Sequence, residues 1–141
     1  MTIRFVVPGA PRGKARPRFA NGHAYTDEKT REYEQLVAFM YKKNAKGYIF
    51  PEDEPLAVRI HTYHPIPKSA SKKKHAEMLH GDIVPTVKPD ADNIVKCIMD
   101  ALNKNAYADD KQVVFLTVQK HYAEEPCVSV EVSSIEEKDE E

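Results

Sequence analysis

The sequence predicts one α/β (α+β) domain, with a mixed β-sheet packed by helices. Three observations predict it. The chain has 141 residues, enough for one core and too few for a second. Apolar residues make up 41% of it, which supplies that core and argues against global disorder. Short β-branched runs then alternate with stretches of helical periodicity, so strands and helices interleave. The domain is expected over 1–135, with 136–141 as a frayed acidic tail.

Ile3 to Val7 reads as a strand stopped by Pro8-Gly9. Residues 8–22, rich in Pro, Gly and Arg, read as a loop with local extended structure. Thr26 is placed as an N-cap for a helix near 27–45, with Tyr33, Leu36, Val37, Met40 and Tyr41 on its apolar stripe and Gly47 beyond its end. Leu56 to Tyr63 alternates as a half-buried strand, and Pro65 and Pro67 close it. Ser71 caps a short helix to about Leu79, before Gly81. A helix near 92–104 follows, with Ile94, Cys97, Ile98, Ala101 and Leu102 on one stripe. Residues 112–122 and 127–132, with a turn at 123–126 between them, predict a hairpin.

Charge is uneven. Residues 1–90 carry 16 Lys and Arg against 10 Asp and Glu; residues 91–141 carry 5 against 12. A basic first part and a concentrated acidic cluster suit a protein that holds phosphates and a metal. No stretch approaches the roughly 18 apolar residues of a membrane span, and the N-terminus does not read as a signal peptide. A cytoplasmic protein is the expectation. Cys97 and Cys127 lack close-spaced partners, so two structural thiols are expected rather than a zinc site or disulfide.

The chemistry concentrates in residues 88–112. Pro89 disfavours helix at Lys88, and in an extended stretch Asp90 and Asp92 point the same way. Asp92 or Asn93 caps the helix, Lys96 lies one turn past Asp92, and Asp100 one turn past Lys96. Oxygen ligands suit Mg²⁺, which takes one or two carboxylates, waters and substrate phosphate. A cation relieves the repulsion between paired carboxylates. Phosphodiester cleavage uses such a metal to activate water, and a lysine can add positive charge at the reacting phosphate. Asp109-Asp110 reaches this site only through a tight connection. Taken one at a time, the same residues read as an N-cap, a Lys96–Asp100 surface pair and turn chemistry. As a set they favour a site.

These residues resemble the RusA family of Holliday-junction resolvases, found in bacteria and their prophages. The resemblance rests on Lys88-Pro89-Asp90-x-Asp92-Asn93-x-x-Lys96, Asp100-Ala101-Leu102-Asn103 and Asp109-Asp110-x-Gln112-Val113. Pro8-Gly9-x-Pro11 with Lys14 and Arg16-Pro17-Arg18 is similar to the family's opening segment. The family often has Gly where this chain has Lys104. The resemblance implies a homodimeric, Mg²⁺-dependent endonuclease, with Mn²⁺ as a substitute, that cuts four-way branched DNA by paired nicks in recombination and repair. It implies Asp90, Asp92 and Asp110 as metal-binding catalytic carboxylates, with Asp109 as the alternative third ligand. Lys96 would be the essential lysine, with Asp100 and Asn93 in support.

Arg12, Lys14, Arg16 and Arg18 alternate, so an extended chain would turn all four to one side, toward DNA phosphates. Lys72, Lys73 and Lys74 form a second basic run on the possible DNA path. Phe19 and Tyr25 are expected to pack in the core rather than stack at a branch point, and the six histidines to serve as surface or polar-packing groups. Two rivals stand beside the nuclease: a non-catalytic, structure-selective DNA-binding protein, and a protein-interaction module with an acidic cluster.

Overall fold

The computed structural model describes residues 1–14 and 18–135, and of Arg18 the backbone alone. The expectations for Arg16, for the Arg18 side chain and for the tail 136–141 lie outside the described residues. Ten elements follow along the chain: β1 (Thr2–Pro8), β2 (Arg18–Ala20), β3 (His23–Tyr25), α1 (Glu28–Ala45), β4 (Leu56–Pro65), α2 (Lys72–His80), α3 (Ala91–Leu102), a single 3₁₀ turn (Asp110–Gln112), β5 (Val113–Ala123) and β6 (Cys127–Ser134). The main sheet has the order β1-β6-β4-β5. β6 runs antiparallel to β1 and β4, whereas β4 and β5 are parallel, so the sheet is mixed.

The predicted hairpin does not form. β5 and β6 do not pair; β6 is inserted between β1 and β4, and β5 lies on the far side of β4. Burial explains the order. Val128, Val130 and Val132 are fully buried, which a strand flanked on both edges allows, whereas β5 leaves Val114, Phe115 and Leu116 exposed as an edge strand does. The short link 124–126 carries the chain past the end of β4, whose Pro65 lies beside Ala123 and whose Tyr63 lies beside Cys127.

α1 and α3 pack on one face of this sheet, whereas α2 buries none of its residues and lies near Tyr63 and His121. Ile94, Cys97, Ile98, Ala101 and Leu102 of α3 are buried as their spacing predicts. Tyr33, Val37 and Tyr41 of α1 join them, while Leu36 and Met40 are partly buried beside the core. Each such aliphatic side chain contributes about 1.5–3 kcal/mol on burial. The α1 cap is Asp27 rather than Thr26: its carboxylate accepts Thr30 N–H at 2.7 Å. α2 begins at Ser71, whose hydroxyl accepts Lys74 N–H, and ends at left-handed Gly81. Residues 18–25 form a small antiparallel ribbon, β2–β3, in a segment expected to be partly loop.

Candidate active site

α3 is the platform of the site, and three long-range contacts fix where it starts. Lys120, on β5, donates its ammonium to the carbonyls of Val87 at 2.5 Å and Pro89 at 3.1 Å. This brackets the segment that leads into Asp90, across the cis Lys88–Pro89 peptide. The N-terminal loop is docked on the same place, where Lys14 N–H donates to Asn93 C=O at 2.9 Å. Gly13 permits that approach, because a Cβ there would meet Pro89 Cβ and Asn93 Cβ at 2.9 Å each. Gly13, Lys14, Lys88, Pro89, Asp90 and Asn93 together line a cleft of about 280 Å³.

Asp90 is the N-cap of α3, with extended φ/ψ, yet its carboxylate accepts no capping hydrogen bond. Asp27 and Ser71 at the other two helices do cap. Asp92 lies inside the first helical turn, so the extended-chain argument that aligned it with Asp90 does not apply. Among the described residues Asp90, Asp92, Lys88 and Lys96 are exposed and make no side-chain hydrogen bond or ion pair. Asp92, Lys96 and Asp100 climb one exposed side of α3 at one-turn steps.

The expected Lys96–Asp100 pair is not made. Asp100 instead meets Lys14 at 3.3 Å, and Lys14 also bonds Glu34 of α1 at 2.7 Å. The Lys14 side chain is 14% exposed, so its charge is poorly solvated and needs both carboxylates. Burial alone would lower its pKa; the bonds and charges of Glu34, then Asp100, outweigh burial and raise it. Lys96, in water, would give up side-chain freedom for a screened surface pair. Arg12 is half-buried, with its Nε enclosed and unpartnered, and its charge acts on buried Tyr33 and Cys97. Arg12 and Lys14 therefore do not form the solvent-facing row expected of them, because the loop is folded onto α3 rather than freely extended. Lys72, Lys73 and Lys74 are all exposed on the first turn of α2.

Asp109 and Asp110 are held by Gln112, a buried residue that sequence reasoning gave no role of its own. Its side-chain carbonyl accepts Ala108 N–H and Asp109 N–H, and its amide donates to Pro51 C=O at 2.9 Å and Glu54 C=O at 3.2 Å. Asp109 caps the 3₁₀ turn by accepting Lys111 N–H at 2.9 Å. That bond holds its pKa below the usual value. Asp110 is shifted the other way, by burial first, then by Asp109 and Asp100. The Asp109–Asp110 turn thus sits by Asp100, whose Cα is about 12 Å of helix rise from that of Asp92. One protomer carries acidic groups at both ends of α3.

The donor set suits a hard cation. Asp90 and Asp92 offer oxygens that no group among the described residues occupies, and Mg²⁺ needs few protein ligands. Among the described residues no three His, Cys, Asp or Glu side chains converge as a ready-made cage, so water and phosphate oxygens would complete the coordination. Phe19 and Tyr25, expected in the core, are 77% and 47% exposed on the β2–β3 ribbon. A short isolated ribbon has no second layer to bury them.

The family model for endodeoxyribonuclease RusA matches residues 8–133. The chain belongs to the RusA family. RusA nucleases hydrolyse phosphodiester bonds in DNA and generally depend on a divalent metal. A relative, "Uncharacterized protein YqaN" of Bacillus subtilis (strain 168), is 40% identical over 139 residues, covering 94% of this chain and 96% of the relative. Among the described residues no helix is long and apolar enough to cross a membrane. The RusA match takes in both the Asp90–Lys96 segment and the Asp109–Gln112 turn.

Proposed function

We propose that this chain resolves four-way DNA junctions by paired nicks, as a homodimer that uses Mg²⁺, with Mn²⁺ as a substitute. The observation that carries the reading is the Asp90 carboxylate. It stands at a helix N-cap, spends nothing on capping, and opens onto the cleft beside Lys88 and Asn93. A carboxylate held in place but left without a partner among the described residues suits a cation.

In this reading Asp90 and Asp92 hold the metal, and Lys96, one turn up α3, faces the scissile phosphate. When bound, the cation activates water and neutralises charge on the phosphate. Lys96 adds positive charge where negative charge develops. Asp110, rather than Asp109, whose oxygen is committed to Lys111 N–H, is proposed as the third catalytic carboxylate, although in one protomer it lies toward the other end of α3 and does not share the cation of Asp90 and Asp92 there. Asn93 and Asp100 have supporting roles: Asn93 C=O receives the N-terminal loop, and Asp100 receives Lys14.

DNA contact is assigned to Arg16, Arg18 and Lys72 to Lys74, with Arg12 and Lys14 folded onto α3 instead. Three lysines in the first turn of α2, with no acidic residue there, oppose the helix dipole. A phosphate backbone would offset that repulsion. Exposed Phe19 and Tyr25 fit stacking against bases opened at a branch point. Two subunits related by a two-fold axis match the symmetry of a four-way junction and its two opposed cuts.

A synthetic four-way junction with Mg²⁺, scored for paired symmetric nicks beside linear duplex, tests the reading. Symmetric nicks in the junction are expected. Equal cutting of linear duplex would refute junction selectivity, and binding without cleavage would favour the non-catalytic rival.

A further inference from the structure

The segment between α2 and α3 reaches Asp90 with few ties. Gly81, Asp82 and Ile83 bond back to the end of α2, and Ile94 N–H begins the ladder of α3. Between them, among the described residues, no backbone–backbone hydrogen bond holds residues 84–89. Pro85 is buried and Pro89 lies close against Gly13, so contact steadies the segment at two points. Its hydrogen bonds to the rest of the described chain come from one side chain, the Lys120 ammonium on the carbonyls of Val87 and Pro89. Lys120 also breaks the pattern of its strand. Residues two apart on β5 share a face, and Val118 packs against the core. An apolar residue would suit position 120, yet a half-buried lysine stands there. Among the described residues its ammonium makes no ion pair. A charge taken partly out of water needs compensation, and the two carbonyls supply it. They belong to the residues three and one before Asp90.

We propose that Lys120 is a positioning residue of the cation site: by fixing the Val87 and Pro89 carbonyls it sets where the Asp90 carboxylate stands, and with it the grip on a divalent cation. The inference rests on the reading of Asp90 and Asp92 as metal ligands, and it names a residue outside the acidic motif on which their geometry depends.

Asp90 depends on such support. Its carboxylate accepts no capping bond, so among the described residues its place is set by its backbone. That backbone is held from two sides. Lys14 N–H on Asn93 C=O holds the first turn of α3, and Lys120 holds the approach to it. Groups that orient metal ligands without touching the metal are worth roughly 10–100-fold in metal affinity or activity. The sign of the effect separates positioning from bare charge. An ammonium near a cation site repels the cation, so its removal would tighten binding if charge were its whole effect. Loss of position loosens binding instead.

Mn²⁺ titrated into the full chain without DNA, with free Mn²⁺ read by electron paramagnetic resonance, tests the proposal. Lys120→Met keeps the stem and removes the donors. It is expected to fold, by circular dichroism, and to hold Mn²⁺ about 10-fold less tightly. Lys120→Arg, which keeps donors for both carbonyls, is expected to recover most of that loss. Lys43→Met, at an exposed lysine of α1, is expected to match wild type. Cleavage should follow binding: Lys120→Met needs more Mg²⁺ for half-maximal rate, with KM for the junction unchanged. Wild-type or tighter Mn²⁺ binding by Lys120→Met, or no recovery in Lys120→Arg, overturns the proposal. Should Lys120→Met fail to fold, Lys120→Gln, which keeps one amide donor group, takes its place. If neither folds, Lys120 serves the fold rather than the site, and the proposal falls. A wild type that binds no Mn²⁺, or is matched by Asp90→Asn, sinks the metal reading itself. An Asp90-dependent site indifferent to Lys120 sinks this inference alone.

Discussion

Lys14 reaches Asp100 across 86 positions of sequence, while Lys96, one helical turn from Asp100, leaves it alone. The two lysines therefore do different work, and substitutions separate them. Lys14→Met strands the largely buried Glu34, while the exposed Asp100 returns to water, and is expected to cost about 1–3 kcal/mol. A lower urea midpoint at unchanged slope is the readout. Lys96→Ala is expected to alter stability by less than about 0.5 kcal/mol. Junction cleavage by Lys96→Ala should nevertheless fall on the order of 10²–10³-fold. Unimpaired cleavage in that variant would remove Lys96 from the chemistry.

Asp90 and Asp27 are both N-caps, but only Asp27 bonds a helix N–H. Asp27→Ala is expected to destabilise by about 1 kcal/mol. Asp90→Asn should leave the unfolding midpoint nearly unchanged and abolish cleavage while junction binding persists. Asp92→Asn should behave alike. Full cleavage by both variants would exclude them as metal ligands.

The neighbouring pair Asp109-Asp110 divides the same way. Asp109→Ala removes the cap on the 3₁₀ turn and is expected to cost about 1 kcal/mol. Asp110→Asn removes a carboxylate whose ionisation is already opposed by burial, Asp109 and Asp100, so stability should hold or rise slightly while cleavage drops. Steady-state cleavage and thermal unfolding, measured on both variants, should rank them in opposite orders.

Acid should weaken the fold through His64. It is 3% exposed, with Nε2 at 2.9 Å from Thr62 Oγ1. Burial first, then Lys120 and His121, lower its pKa from 6.5. Below that pH the unfolded chain takes up a proton that the folded chain resists, so this group's contribution is complete above 6.5 and declines as pH falls. His64→Gln is expected to flatten the fall in melting temperature on crossing that pH. An unchanged slope would show that His64 is not the group responsible.

Lys104 adopts φ 67°, a left-handed conformation that glycine reaches without Cβ strain. Lys104→Gly should be neutral or stabilising by up to about 1 kcal/mol, with the strain relieved exceeding the added freedom of the unfolded chain. Chemical denaturation checks it.

What the sequence disclosed was mostly local. The α3 stripe from Ile94 to Leu102, the Ser71 cap and the Gly81 stop follow from periodicity and capping chemistry within a few residues. The acidic motif was legible because its spacing is short. The strand order was not, because burial of Val128 to Val132 between β1 and β4 depends on partners far along the chain. Nor could spacing reveal that Lys14 prefers Glu34 and Asp100, or that Lys120 grips the carbonyls before Asp90. The proposed preference for Asp110 over Asp109 rests on one backbone N–H, that of Lys111, which no spacing argument could place. Phe19 and Tyr25 misled because aromatic character implies burial only where a second layer exists.

Gly13 limits how this protein can vary. Beside it, Lys14 is tied to Glu34 and Asp100, but another long cationic side chain could supply its charge. At Gly13 itself even alanine would press against Pro89 and Asn93 at 2.9 Å. Such a change would lift the loop away from the start of α3 and disturb two jobs at once, the seating of Lys14 and the alignment of Asp90. The smallest residue in the segment is therefore expected to be the least replaceable, and a substitution there should harm cleavage without removing any group that touches DNA or metal.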